Sequence, residues 1–189
     1  ETAEMPNHYK GENFDLVGFS MGINEKSKII DGTKIIEGDV ILGLPSSGFH
    51  SNGYSLINKV IENNCDDELL TRLLVPTKIY VKEILELLAS IEIKGMAHIT
   101  GGGFQENLSR ASNGLTINVD RSKWHMPEVF KEIQKIGHIS TDEMFNIFNC
   151  GIGYAVILSE ENAKLAKEIN LDLIEIGFIS DEETIFKYI

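Results

Sequence analysis

Apolar positions along the chain change period several times, and each change marks a predicted element. Asp39-Val-Ile-Leu-Gly-Leu44 reads as a buried strand, and Leu56, Ile57, Val60 and Ile61 then recur at helical spacing, which predicts a helix over 51–63. A short helix near 67–73, a helix over 77–89 opened by Pro76, and a strand over 95–99 follow. Beyond a glycine turn, a helix through Leu108 leads to a strand at 114–119 and helices at 127–136 and 141–147. A strand at 151–158, a helix at 160–169 and strands at 172–179 and 184–188 complete the pattern. Upstream, 15–23 alternates apolar and small residues as a strand does, and 24–38 is a polar connector with turn signals.

Helices and strands alternate without a strict strand-helix-strand repeat. The last two strands are joined by only a few residues around Asp181-Glu182-Glu183, so short a link that it predicts an antiparallel pair. The expected fold class is α+β, a mixed β-sheet flanked by helices in α/β/α layers. Residues 39–189 read as one complete domain, and 1–38 as the end of a preceding one.

At 189 residues the chain can bury a sizeable core, and its 42% hydrophobic and 24% charged residues are those of an ordinary globule. The net charge of -12, with Lys and Arg scattered, argues against a nucleic-acid surface. Any anion held here must therefore be held by backbone dipoles. Cys65 and Cys150 lie far apart with no paired spacing, so neither a zinc site nor a disulfide framework is indicated, and a reducing cytoplasm is expected. No apolar stretch reaches the ~20 residues that cross a bilayer. The start at Glu1-Thr-Ala-Glu-Met-Pro6 reads as the inside of a longer polypeptide.

Candidate chemistry concentrates in two loops. Pro45-Ser-Ser-Gly-Phe-His-Ser-Asn-Gly-Tyr-Ser55 joins a strand to a helix, where free N–H groups and the positive end of the helix dipole favour an anion. Phosphate is the expected guest of Ser47, Gly48, Ser51, Asn52 and Gly53; the plainer alternative is that Ser51 or Asn52 caps the helix. His98-Ile-Thr-Gly-Gly-Gly-Phe104 repeats this grammar, and Thr100, Gly101, Gly102 and Gly103 can form a nest of N–H groups or a simple flexible turn. His50, inside the first loop, is the candidate acid, base or phosphate donor. His98 reads as a core or strand-end residue, and His8, His125 and His138 as surface residues. Thr77 and Lys78 could meet the anion from a third side, although a proline-started helix with a surface lysine is the simpler account. Phe148-Asn-Cys-Gly-Ile-Gly153 enters a strand rather than leaving one, so it is not a dinucleotide fingerprint. The acidic runs Asp66-Asp-Glu68 and Asp181-Glu-Glu183 read as solvated faces.

Together, Glu1 to Pro6, Ser46 to Ser55, Pro76-Thr-Lys-Ile-Tyr80, His98 to Phe104 and Phe148 to Gly153 resemble the phosphoribosylformylglycinamidine cyclo-ligase (aminoimidazole ribonucleotide synthetase) family along essentially the whole chain. The resemblance implies a two-domain homodimeric enzyme of purine biosynthesis, in a superfamily shared with selenophosphate synthetase and thiamin-monophosphate kinase. It implies that ATP, with Mg2+, activates the formyl oxygen of formylglycinamidine ribonucleotide as a phosphate ester, and that an amidine nitrogen closes the ring as phosphate leaves. Ser47, Gly48, His50, Ser51 and Asn52 match the family's loop and Thr100 to Gly103 its glycine turn, both facing the substrate. Either loop could take the ribose phosphate. Glu1 and Thr2 match a nucleotide-site motif whose preceding glycines are absent. The metal and ATP ligands are expected mostly upstream, so this chain is expected to be the C-terminal portion and inactive alone. Two alternatives stand beside this reading: the related glutamine-dependent amidine-forming synthase, and a non-catalytic module for phosphate-ligand binding or dimerisation.

Overall fold

The computed structural model describes residues 18–62 and 65–189. Six strands form one sheet in the order β2-β4-β1-β5-β3-β6, where β1 is Val40–Pro45, β2 Gly95–His98, β3 Thr116–Val119, β4 Ile152–Leu158, β5 Ile174–Ser180 and β6 Phe186–Tyr188. All neighbouring pairs are antiparallel except β3 with β6.

Side chains alternate across the sheet, and each face acquires its own core. On one face, Ile41 packs with Ile57 of α1 (Tyr54–Ile61), Leu69 and Leu73 of α2 (Asp67–Leu73) and Phe104 and Leu108 of α4 (Gly103–Ser109). Phe130 and Ile133 of α5 (Glu128–Ile136) and Met144 and Phe145 of α6 (Thr141–Ile147) complete that layer. On the other face, Val40, Leu42 and Leu44 meet Ile84 and Leu87 of α3 (Val81–Ser90) and Ala163 and Ala166 of α7 (Glu160–Ile169). The α/β/α layering expected from the sequence is therefore present. A buried ion pair ties the start of β1 to the approach to β2: Lys94 Nζ donates to both Asp39 carboxylate oxygens, at 2.6 and 2.9 Å.

Four expectations are corrected. The last two strands do not pair, because β3 lies between them. Thr116 holds the crossing, its Oγ1 donating to the Glu182 carbonyl and accepting from the Glu182 N–H, both at 3.1 Å. Residues 181–185 need span only two strand spacings, about 10 Å, which a short extended link covers easily. The helix expected from 51 starts at Tyr54, after Gly53 at φ 74°, and the one expected from 77 starts at Val81. Of the strand expected at 15–23, the described part, 18–23, is irregular and leaves Phe19, Met21 and Ile23 exposed. Alternation makes a strand only where another strand supplies hydrogen-bond partners, and among the described residues the sheet ends at β2 and β6.

The acidic runs are bonded as well as exposed. Asp66 caps α2 by accepting the Leu69 N–H at 2.7 Å, and Glu182 pairs with Lys187 at 2.7 Å.

Candidate functional site

Strand direction explains why the two loops meet. β1 and β2 both run antiparallel to β4 and flank it, so both end beside the start of β4, where Pro45 pairs with Ile152 and His98 with Tyr154. The serine loop leaves one side and the glycine turn the other. The Ser46 N–H donates to the Gly151 carbonyl at 2.8 Å and the Ile99 N–H to the Gly153 carbonyl at 2.9 Å, which stitches each loop to the turn entering β4. The loops approach closely enough that a Cβ on Gly101 would lie 3.6 Å from Asn52 Oδ1.

The serine loop is anchored at its centre. Phe49 is fully buried, its ring centroid 4.1 Å from that of Phe130 and 4.9 Å from that of Phe148, and this pins the flanking residues. Ser47 and Ser51 remain exposed. Ser47 Oγ donates to the Pro76 carbonyl at 2.7 Å, and Ser51 Oγ lies 3.2 Å from Thr77 Oγ1. Neither Ser51 nor Asn52 caps α1; Gly53 is its N-cap, with no side-chain bond. Gly53 has a second reason to be glycine, since a Cβ there would overlap the Phe148 ring.

Two asparagines outside the expected site set the loop shapes. Asn149, 3% exposed, accepts the Ser46 hydroxyl at 2.8 Å and the Gly151 N–H at 2.9 Å, and donates to the Gly48 carbonyl at 2.9 Å. Asn107 does the same for the glycine turn, donating to the Gly103 and Gly101 carbonyls at 2.7 and 3.2 Å and accepting the Thr100 hydroxyl at 3.1 Å. Gly102 and Gly103 have φ 87° and 59°. A Cβ on Gly103 would overlap the Phe145 carbonyl, so its glycine serves packing, whereas Gly101 is open. The Glu106 carboxylate, paired with Arg110, lies over Gly102, so an anion of the chain itself already covers the start of α4.

Between the loops sits a ring cluster. His50, 4% exposed, has its centroid 6.0 Å from that of His98 and 6.1 Å from that of Tyr80, and Tyr80 and His98 lie 5.4 and 6.0 Å from Tyr154. Gly153 makes room for it: a Cβ there would overlap the Tyr80 hydroxyl and the His50 ring. The Tyr80 hydroxyl donates to the Pro45 carbonyl at 2.9 Å, which holds the non-helical segment 76–80 against the serine loop and explains the late start of α3. Burial, with help from neighbouring His98, lowers the His50 pKa to about 4, and the partial covering of the otherwise exposed His98 ring lowers its own. Burial and the nearby Glu83 carboxylate raise that of the Tyr80 phenol.

Beside this cluster opens a cleft of about 360 Å3, lined by Lys78, Ile79, Tyr80, Leu85, His98 and Tyr154. Lys78 is not free, since its Nζ lies 3.5 Å from Glu83 Oε1 and 5.3 Å from the Tyr80 ring centroid. His98 closes β2 and is exposed, as are His125 and His138; Glu1, Thr2 and His8 lie outside the described residues. The stretch 148–153, set aside as a fingerprint, is thus the third wall of the site. Its two glycines before a strand were the signal for that. Among the described residues no three His, Cys, Asp or Glu side chains gather to hold a metal ion. They therefore do not by themselves supply the magnesium site that the resemblance implies. Nor is any described helix long and apolar enough to cross a membrane.

Fold and site together define a layered α+β domain with two backbone-lined turns side by side at one end of its sheet. The chain belongs to the family described as AIR synthase related protein, C-terminal domain, whose model matches residues 37–187. It is 49% identical over 187 residues to a phosphoribosylformylglycinamidine cyclo-ligase of Lactococcus lactis subsp. lactis, a match covering 94% of this chain and 55% of that protein. It is 51% identical over 175 residues to the enzyme of the same name from Burkholderia multivorans, covering 88% of this chain and 50% of that protein. The chain thus spans about half the length of the curated relatives it matches. Among solved structures, the hydrogenase maturation protein HypE matches with TM-score 0.59 at 15% identity, over 82% of this chain and 48% of that one. Thiamine-monophosphate kinase from Stenotrophomonas maltophilia matches with TM-score 0.57 at 16% identity, over 84% and 52%. Both likenesses are of fold.

Proposed function

We propose that this chain forms the substrate-binding half of a phosphoribosylformylglycinamidine cyclo-ligase, which closes the imidazole ring of formylglycinamidine ribonucleotide in an ATP-dependent reaction. The observation that carries this is the convergence of the Ser47–Gly53 and Thr100–Gly103 turns on either side of β4, in a chain about half identical to relatives bearing that name. ATP enters the proposal from the family and from a fold neighbour, HypE, whose structure is described in complex with ATP. Residues 1–38 are assigned to a preceding nucleotide-binding domain, with Glu1 and Thr2 at its site, and 39–189 to the substrate domain. The chain alone is then inactive, and the complete enzyme acts as a cytoplasmic homodimer.

The described residues suit the substrate's demands. Phosphate oxygens need several N–H donors in one concavity, which turns rich in glycine provide without the desolvation penalty of a buried lysine. The exposed Ser47 and Ser51 and the half-buried Thr77 place hydroxyls at the rim, and the cleft beside Tyr80 and Tyr154 offers ring faces to a base or its acyclic precursor. Positioning of this kind is most of what phosphoryl-transfer chemistry asks of a protein.

The test is a titration of the 15N-labelled chain with ribose 5-phosphate. Amide shifts are expected at 46–53 and 100–104; shifts confined elsewhere would sink the assignment. Steady ATP-dependent ring closure by the purified 189-residue chain would remove the claim of inactivity.

A further inference from the structure

His50 carries an unexplained polar atom. Its Nε2 accepts the Ser47 N–H at 3.3 Å, while its Nδ1 is buried and meets no partner among the described residues. A ring nitrogen that accepts an N–H carries no proton, so the neutral imidazole must carry its proton on Nδ1. The opposite tautomer would set two N–H groups against each other and leave both unpaired. The backbone reinforces the constraint: His50 has φ 57°, in a region that favours glycine, and the buried Phe49 next to it prevents relaxation.

We propose that His50 serves the site as a neutral imidazole fixed in the Nδ1–H tautomer, donating to an oxygen of the bound ligand and taking no proton from it. The inference rests on the proposed function insofar as that function supplies a ligand with phosphoryl or carbonyl oxygens. Neither ring nitrogen keeps a free lone pair, so His50 is excluded as the base for ring closure. Among the described residues, the rings that face it are His98 from β2 and Tyr80 from the segment before α3. Burial disfavours a charged His50 most, and His98 adds to it, while the phenol that burial keeps neutral at Tyr80 supplies no compensating charge. An orphan buried donor is expensive to leave unmade, and an incoming oxygen satisfies it.

Long-range 1H–15N correlation of the labelled imidazoles in the intact chain tests the tautomer directly. Expected are a protonated Nδ1 and an unprotonated Nε2 for His50 throughout pH 5.5–8.5. A protonated Nε2, or a His50 midpoint near the ordinary histidine value, overturns the proposal. Ribose 5-phosphate should then shift His50 Nδ1 without changing the tautomer; a silent Nδ1 while the 46–53 amides shift also overturns it. If those amides do not shift either, the functional reading fails while the tautomer result still stands. His50→Asn, which keeps an N–H near the Nδ1 position, should bind within about threefold of wild type, and His50→Ala at least about tenfold more weakly. Equal loss in both, with both folded by circular dichroism, refutes donation from Nδ1.

Discussion

Replacing Asn149 with Ala should both unfold the chain more easily and slacken the serine loop. The side chain joins three groups, the Ser46 hydroxyl, the Gly151 N–H and the Gly48 carbonyl, at 2.8–2.9 Å. Ser46 is half-buried and can turn to water, but the Gly151 N–H and Gly48 carbonyl are in buried residues. At about 1–3 kcal/mol for each orphaned group, with some relief from water entering the loop, the loss is about 2–4 kcal/mol. For a chain of this length that lowers the melting temperature by about 5–12 °C. Trp124 provides the readout: it is the single tryptophan, and its Nε1–H donates to the Cys150 carbonyl at 3.0 Å, one residue from the substitution. Urea titration followed by its fluorescence should show the loss. Asn149→Asp sharpens the test, because it keeps the acceptor and puts a carboxylate against the Gly48 carbonyl. That carboxyl's folded-state pKa must rise above its unfolded value, so the folded state binds more protons and the variant loses stability as pH climbs from about 4 to 7. An Asn149→Ala variant within about 0.5 kcal/mol of wild type, or an Asp variant with no added pH dependence, would refute this account of the loop.

Three further outcomes are expected. Gly153→Ala should cost about 1–3 kcal/mol in urea titration, and should abolish the Tyr80 hydroxyl's bond to Pro45, visible as altered Tyr80 ring shifts; an unchanged spectrum counts against the packing argument. Lys94→Met strands the buried Asp39 carboxylate and should destabilise by about 3–5 kcal/mol, so a loss below about 1 kcal/mol would mean that water reaches Asp39. Because the His50 pKa falls to about 4 on folding, the unfolded chain binds the extra proton between about pH 6.5 and 4. Its contribution to stability is therefore full above about 6.5 and is lost on acidification, by about 2–3 kcal/mol. His50→Gln should show a correspondingly smaller acid-induced drop in urea midpoint, and an identical drop would argue that His50 is already charged in the folded state.

Local chemistry made much of the fold legible. α6 and α7 follow the apolar period, and Ser140 and Ser159 cap them through the Glu143 and Asn162 N–H groups, the kind of signal a single sequence contains. Pro76 looks like a helix opener and predicts a start for α3 four residues too early. What keeps 76–80 out of the helix is remote, a hydroxyl of Ser47 and a carbonyl of Pro45, and no local window contains them. The insertion of β3 between β5 and β6 is likewise a choice among partners rather than a local preference. In the site, His50 and the two turns stood out by residue type. Asn107 and Asn149 did not, because an asparagine that shapes a loop from outside is indistinguishable in sequence from one at the surface.

The place of β3 also orders the chain's assembly. During synthesis β3 is made with no neighbour on either side, since its antiparallel partner β5 and its parallel partner β6 both follow it. Two open edges on one nascent strand invite pairing with another molecule. Its four residues are too short a template for much of that, and the link at 181–185 delivers β6 to the far edge directly after β5 has claimed the near one. The link at 181–185 with β6 thus works as a latch, covering the edge of β3 that β5 leaves open.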